Sequence, residues 1–154
     1  MSFTSASRFL DTNVLVYLFD RDSPQKAERS WEILTAGGTV ISGQVLQEFY
    51  NAATRKLSLP ANDARAALAR FVETCRVVSV EVPTILRAAE RSDQQRLSFW
   101  DSLIVEAAVD AGCGLILSED LQANREYEPG LRVENPYAAL EHTPPRARPG
   151  GRKR

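Results

Sequence analysis

Histidine is almost absent from this chain: His142 is the only one in 154 residues. That argues against a mechanism built on imidazole as general acid or base. Lysine is scarce too, with Lys26, Lys56 and Lys153 only. The two cysteines, Cys75 and Cys113, lie in apolar surroundings without metal-ligand spacing. They read as small core residues rather than a disulfide or a zinc site. Neither G-x-x-x-x-G-K-[ST] nor G-x-G-x-x-G occurs, so no glycine-rich phosphate cradle is present. No apolar run approaches the roughly 18 residues of a membrane span, and the opening MSFTSASRF lacks the apolar core of a signal peptide. The expectation is a soluble, cytoplasmic protein with no membrane partner.

The length suits one domain, and 44% hydrophobic and 25% charged residues suit a globular one. A formal net charge of −1 conceals an asymmetry. Residues 143–154, TPPRARPGGRKR, hold five basic residues and no acid, leaving 14 basic against 20 acidic residues in the body, a net of −6. The expected organisation is one domain over residues 1–142 and a disordered basic tail over 143–154.

Along the chain, a short apolar run ends at Asp11, and residues 14–19 resume as a helix. Ser23 and Pro24 start a second helix with Ala27, Trp31 and Leu34 at helical spacing. Ala36, Gly37 and Gly38 stop it. TVIS at 39–42 reads as a strand, followed by a helix with Val45, Leu46, Phe49 and Ala53 on one face. Leu59 and Pro60 break that helix; Asn62 or Asp63 opens another with the stripe Ala66, Leu68, Ala69 and Val72. Residues 76–80 read as a buried strand. Val82 and Pro83 begin a helix running to about Arg96, and Ser98 begins a sixth. Trp100, Leu103, Ile104, Ala107, Ala108 and Ala111 form its stripe, with Gly112 as its stop. GLILS at 114–118 is a further strand, and 131–134 a last one. Strands alternating with helices predict an α/β fold with a mostly parallel sheet.

Four carboxylates fall at matching places in that scheme. Asp11 ends the first strand, Glu48 lies in the helix after the second, Asp101 opens the sixth helix and Asp120 follows GLILS by two residues. In a parallel sheet these positions converge on the edge formed by the strands' carboxyl ends, where such folds bind ligands. Each has a plainer explanation. Asp11 suits a helix N-cap, Ser98 and Asp101 nearly form a capping box, Asp120 suits a turn, and Glu48 a solvated helix face. All four at once are harder to explain that way. Converging anions repel one another and take up protons unless a cation intervenes. Oxygen ligands without His or Cys select Mg²⁺ or Mn²⁺, which implies metal-assisted chemistry.

The segments FLDTNVLVYLFD, SGQVLQEFYNAATRKL and SFWDSLIVEAAVDAGCGLILSEDLQ resemble the PIN-domain nucleases, and among them the VapC-type toxins of bacterial toxin–antitoxin pairs. The resemblance spans roughly residues 8–137. It implies a PIN-like three-layer sandwich whose central sheet, mostly parallel with four to five strands, is flanked by helices. It also implies Mg²⁺- or Mn²⁺-dependent RNA cleavage leaving a 5′-phosphate and a 3′-hydroxyl. Asp11, Glu48, Asp101 and Asp120 match the family's acids, with Glu119 a rival to Asp120. Asn13 and Ser118 match polar positions that support the acids by hydrogen bonds. An antitoxin partner and a homodimer come with the resemblance.

The expected function is thus a metal-dependent endoribonuclease, the toxin of such a pair. Arg55, Lys56, Arg96 and Arg125 are candidate phosphate contacts, each equally explained as a solvated charge. An aspartyl phosphatase would need an acid at Asn13, and a receiver-type signalling module would need a lysine between Lys56 and Lys153. The remaining alternative is a non-catalytic PIN-like module that binds RNA or protein.

Overall fold

The computed structural model describes residues 6–140. His142 and the expected tail, 143–154, lie outside the described residues. The chain opens with β1 (Arg8–Leu10), a strand whose Phe9 and Leu10 are wholly buried. It pairs in parallel with β2 (Thr39–Ser42) on one side and β4 (Leu115–Leu117) on the other. Flanked on both sides, these strands are near-continuous apolar runs, as buried parallel strands are.

Beyond β2 lies β3 (Arg76–Val78); beyond β4 lie β6 (Leu131–Glu134) and β5 (Glu126–Glu128). The order is β3-β2-β1-β4-β6-β5, and every pair is parallel except β5 with β6. The expected mostly parallel sheet is therefore present, with six strands. The one not foreseen, β5, returns to β6 through a turn at Gly130, whose φ of +82° suits glycine. The segment 76–80 is not a buried strand: it is three residues long and lies at the sheet edge, where Arg76 and Val77 are exposed.

The helices are α1 (Thr12–Val16), α2 (Pro24–Thr35), α3 (Gly43–Arg55), α4 (Ala61–Thr74), α5 (Val82–Gln95) and α6 (Phe99–Asp110). The expected helix over 14–19 is a single α turn that tightens into a 3-10 turn at Tyr17–Phe19. Parallel crossovers are right-handed almost without exception. The run β1-β2-β3 therefore puts α1 to α4 on one face, and the return to β4 puts α5 and α6 on the other. Packing agrees, with α3 against α1 and α4, and α5 against α6.

Three apolar stripes differ from expectation. The buried side of α4 is Ala64, Ala67 and Phe71; Ala66, Ala69 and Val72 are exposed and Leu68 half-buried. Phe71 sets this phase, because it packs edge-on against Phe49 of α3 at 4.8 Å between ring centres. In α6, residues 102–108 are all buried, so the helix has no wet face there, while Trp100 is exposed. Trp31 of α2 is likewise exposed, and Ser30, Ile33 and Leu34 point inward. Cys75 and Cys113 are free and buried, as expected. Among the described residues no helix is long and apolar enough to cross a membrane.

Candidate active site

The chain builds outward from β1 in one direction and then returns to β4 on its other side. The crevice between the carboxyl ends of β1 and β4 is the point where strand order reverses, the usual ligand site of open α/β sheets. Asp11 leaves β1 at this point, and residues 118–120 leave β4.

Asp11 does cap α1, its Oδ1 accepting from the Thr12 N–H at 2.8 Å. The cap uses one oxygen only. Oδ2 accepts from the Ser118 hydroxyl at 2.7 Å. Ser118, wholly buried, also accepts from the backbone N–H groups of Asp120 and Leu121, each at 3.1 Å. One hydroxyl thereby fastens Asp11 to the loop that carries Asp120. Asn13 Nδ2 donates to Asp120 Oδ2 at 3.0 Å, so α1 holds that loop a second time.

Glu48 is exposed on α3, but its carboxylate is held. Thr12 Oγ1 donates to Oε2 at 3.3 Å and Gln44 Nε2 to Oε1 at 2.5 Å. The same Gln44 amide donates to the Trp100 carbonyl at 3.2 Å, which ties the start of α6 to α3. Asp101 follows Trp100 and is half-buried. Ser98 caps α6 by accepting from the Asp101 N–H at 3.0 Å, and the Asp101 carboxylate has no partner among the described residues.

Burial dominates the electrostatics. Asp11 is 6% exposed. Burial raises its pKa from 3.8 to about 6, the bonds from Ser118 and Thr12 oppose the rise, and the charges of Asp120 and Glu48 add to it. Those two anions are therefore close enough to be felt at Asp11. The structure brings Asp11, Glu48 and Asp120 together in this sense; it connects Asp101 to them through Gln44.

Glu119, the rival to Asp120, is engaged by other partners. It pairs with Lys26 and accepts from the Tyr17 hydroxyl. Burial alone would raise its pKa, and these two donors outweigh it and lower it. Lys26 is in turn pushed up to about 12, chiefly by its bond to Glu119. Nothing local in the sequence signals this pairing, which spans 93 residues.

Among the described residues, no three His, Cys, Asp or Glu side chains converge closely enough to enclose an ion. The donor chemistry nevertheless suits a hard cation. Besides the carboxylates, Asn13 Oδ1 and Gln44 Oε1 are buried without a hydrogen-bond partner. Both belong to amides that hold a site carboxylate, and an unpaired buried carbonyl oxygen is costly unless something positive meets it. Gln44, one helical turn before Glu48, had only that spacing to mark it in the sequence.

The four cations are placed differently. Arg96, exposed, ends α5 with φ 53° just before the Ser98 cap. Arg125 lies over the Tyr127 ring at 4.5 Å and reaches the Gln95 carbonyl at 3.5 Å. Arg55 and Lys56 close α3, about 10 Å along the axis beyond Glu48 at 1.5 Å per residue.

A family model described as a PIN domain matches residues 8–127. No curated protein sequence matches the chain significantly. Among solved structures, the sarcin-ricin-loop-cleaving toxin VapC20 of Mycobacterium tuberculosis is similar at 23% identity and TM-score 0.60, over 74% of this chain and 90% of that one. A toxin–antitoxin complex from Klebsiella pneumoniae gives 20% identity and TM-score 0.61, over 85% and 98%. A DNA-bound VapBC of Salmonella typhimurium gives 21% and 0.59, over 84% and 97%. At these identities the likeness is one of fold.

Proposed function

The chain belongs to the PIN-domain family of nucleases, and from that premise we propose that it is a metal-dependent endoribonuclease, the toxin of a type II toxin–antitoxin pair. The observation that carries this reading is Asp11: a buried carboxylate at the switch point, with pKa raised to about 6, neighbouring Glu48 and Asp120 and two unpaired amide oxygens. Burying such a charge has a cost that a bound cation would offset.

Asp11, Glu48, Asp101 and Asp120 would hold Mg²⁺ or Mn²⁺. When bound, the ion supplies an activated water and neutralises charge on a phosphoryl oxygen. The protein supplies the positioning. Ser118 and Thr12 fix Asp11, Asn13 fixes Asp120, and Gln44 with Thr12 fixes Glu48. In-line attack would leave a 5′-phosphate and a 3′-hydroxyl. Arg96 and Arg125, beside the start of α6, are the better placed of the four cations to meet an RNA backbone.

An antitoxin is the proposed partner. The surface offered to it is an apolar groove of about 720 Å³ between α2, the 3-10 turn and α4, with Phe19, Trp31, Leu34 and Phe71 in its lining. It accounts for the exposed Trp31. A homodimer in the cytoplasm completes the reading.

The test is cleavage of defined RNAs by the purified chain in Mg²⁺ or Mn²⁺ and in EDTA, with mapping of product ends. Metal-dependent cleavage that Asp11→Asn abolishes is the expected result. RNA bound but left intact under all conditions would leave the non-catalytic PIN-like module instead.

A further inference from the structure

Trp100 is out of character with its helix. Residues 102–108 of α6 are all buried, yet two positions earlier Trp100 is 64% exposed. It is not a loose surface ring. Its carbonyl accepts from Gln44, the amide that also holds Glu48. Phe99 packs against the indole edge-on at 5.2 Å between ring centres and 71° between planes. The backbone of Trp100 is thus anchored to Gln44, and its ring, packed on one edge by Phe99, is otherwise open to solvent.

Its neighbours show what it is open to. Asp101 is the next residue, with its Cα about 3.8 Å away. Arg96, four residues before, is exposed and has no ion-pair partner among the described residues. Arg125 reaches the carbonyl of Gln95, the residue adjoining Arg96. An exposed aromatic ring with an unpaired guanidinium four residues before it, at Arg96, matches the composition of a single-strand binding groove, where bases stack and cations track the backbone.

We propose that Trp100 is a stacking platform for an unpaired nucleobase next to the phosphate held at the acids, with Arg96 on the adjoining backbone. The assignment rests on the nuclease reading for its substrate class. It adds that the substrate presents one unstacked base to Trp100, because a base inside a duplex presents only its edges. Trp100 acts by binding; it takes no part in bond breaking.

The chain has two tryptophans, so a full-length Trp31→Phe protein reports on Trp100 alone. Its emission is followed in EDTA, where cleavage is off, during titration with a mixed-sequence RNA of about eight nucleotides and with the same RNA as a duplex. Saturable quenching by the single strand and little by the duplex is expected. Trp100→Ala should weaken single-strand binding about tenfold, within the range for one base–aromatic stack, and Trp100→Phe should recover most of it. Equal dissociation constants for Trp100→Ala and the parent, with both folded by circular dichroism, would overturn the proposal. So would an emission change that follows protein concentration without RNA, since a second copy would then cover the ring. Quenching and weakened binding in a protein that cleaves no RNA with metal would defeat the nuclease reading and retain the platform.

Discussion

Ser118 donates its hydroxyl proton to Asp11 Oδ2 at 2.7 Å, joining residues 107 positions apart across the β1–β4 pair. Because that proton is committed, the oxygen's lone pairs are free to accept from the Asp120 and Leu121 N–H groups. One buried hydroxyl thus orients a carboxylate and shapes the loop of another.

Ser118→Ala should therefore act at two places. Two N–H groups, one buried and one partly buried, lose their acceptor, which costs roughly 1–3 kcal/mol in denaturant unfolding. Asp11 also loses the bond that most opposes its raised pKa, so the acid limb of the pH–rate profile should move to higher pH. A destabilised protein with an unmoved acid limb would show that Ser118 supports the fold and does not tune Asp11.

For Asp11 the sign of the pH dependence is opposite to that of an ion-paired carboxylate. Its pKa is about 6 in the folded protein against an ordinary 3.8, so the folded state binds the proton more tightly. Its contribution to stability is fully present below pH 3.8 and lost as pH rises through about 6. At pH 7 in EDTA the buried charge costs roughly 3 kcal/mol. Asp11→Asn removes that charge, and its amide can satisfy only one of the two donors, a loss of about 1 kcal/mol. The variant should therefore be more stable than wild type at pH 7 and inactive, as read by thermal melts and RNA cleavage. A less stable variant would contradict the burial argument.

Metal should reverse the balance. Mg²⁺ or Mn²⁺ bound only by the folded protein raises stability by mass action, at about 2–4 °C of melting temperature per kcal/mol for a chain of this size. Millimolar metal should raise the wild-type melting temperature by several degrees and shift Asp11→Asn much less. Equal shifts in the two proteins would place the ion elsewhere.

On the far side of the sheet, Arg91 is buried between α5, α6 and β5. It donates to Glu106 Oε1 at 2.8 Å and to the Tyr127 carbonyl at 2.7 Å, and pairs with Glu128. Removing one partner of a buried pair is far more harmful than replacing both. Arg91→Met should lower stability by about 3 kcal/mol, softened by Arg87, which also pairs with Glu106. Adding Glu106→Leu should recover part of the loss; a further drop would mean that the pair is net stabilising.

Removal of residues 143–154 tests the basic segment. Five positive charges that reach RNA phosphates release counterions, so the truncated chain should bind more weakly at low salt. Its salt slope should be shallower by up to roughly 0.7 per lost contact, with turnover at saturating RNA unchanged. Identical slopes would show that the segment does not touch the backbone.

Most elements were legible because their signals are local. Pro24 and Pro83 open α2 and α5, Gly37 and Gly112 follow α2 and α6, Ser42 and Ser98 cap α3 and α6. Each acts within one helical turn of its own position. Strand β5 has no such signal: EYE is three residues long and forms only because β6 offers an antiparallel edge. The phase of α4 was misread for the same reason. Alanine fits either side of a helix, and Phe71, which decides the side, is fixed by Phe49 on another helix.

The sequence by itself determined the alternation of strands and helices, the capping residues, and the positions of Asp11, Glu48, Asp101 and Asp120 at the ends or beginnings of elements. Tertiary structure decided which of those acids feel one another, that Glu119 is spent on Lys26, that Gln44 bridges Glu48 to α6, and that Trp31 and Trp100 face outward. The division follows range. Backbone propensity and capping are settled over a few residues. Burial, Coulomb interaction and hydrogen bonding between side chains depend on distance in space, and the pairs that join the separate elements of this site are 36 to 107 residues apart along the chain.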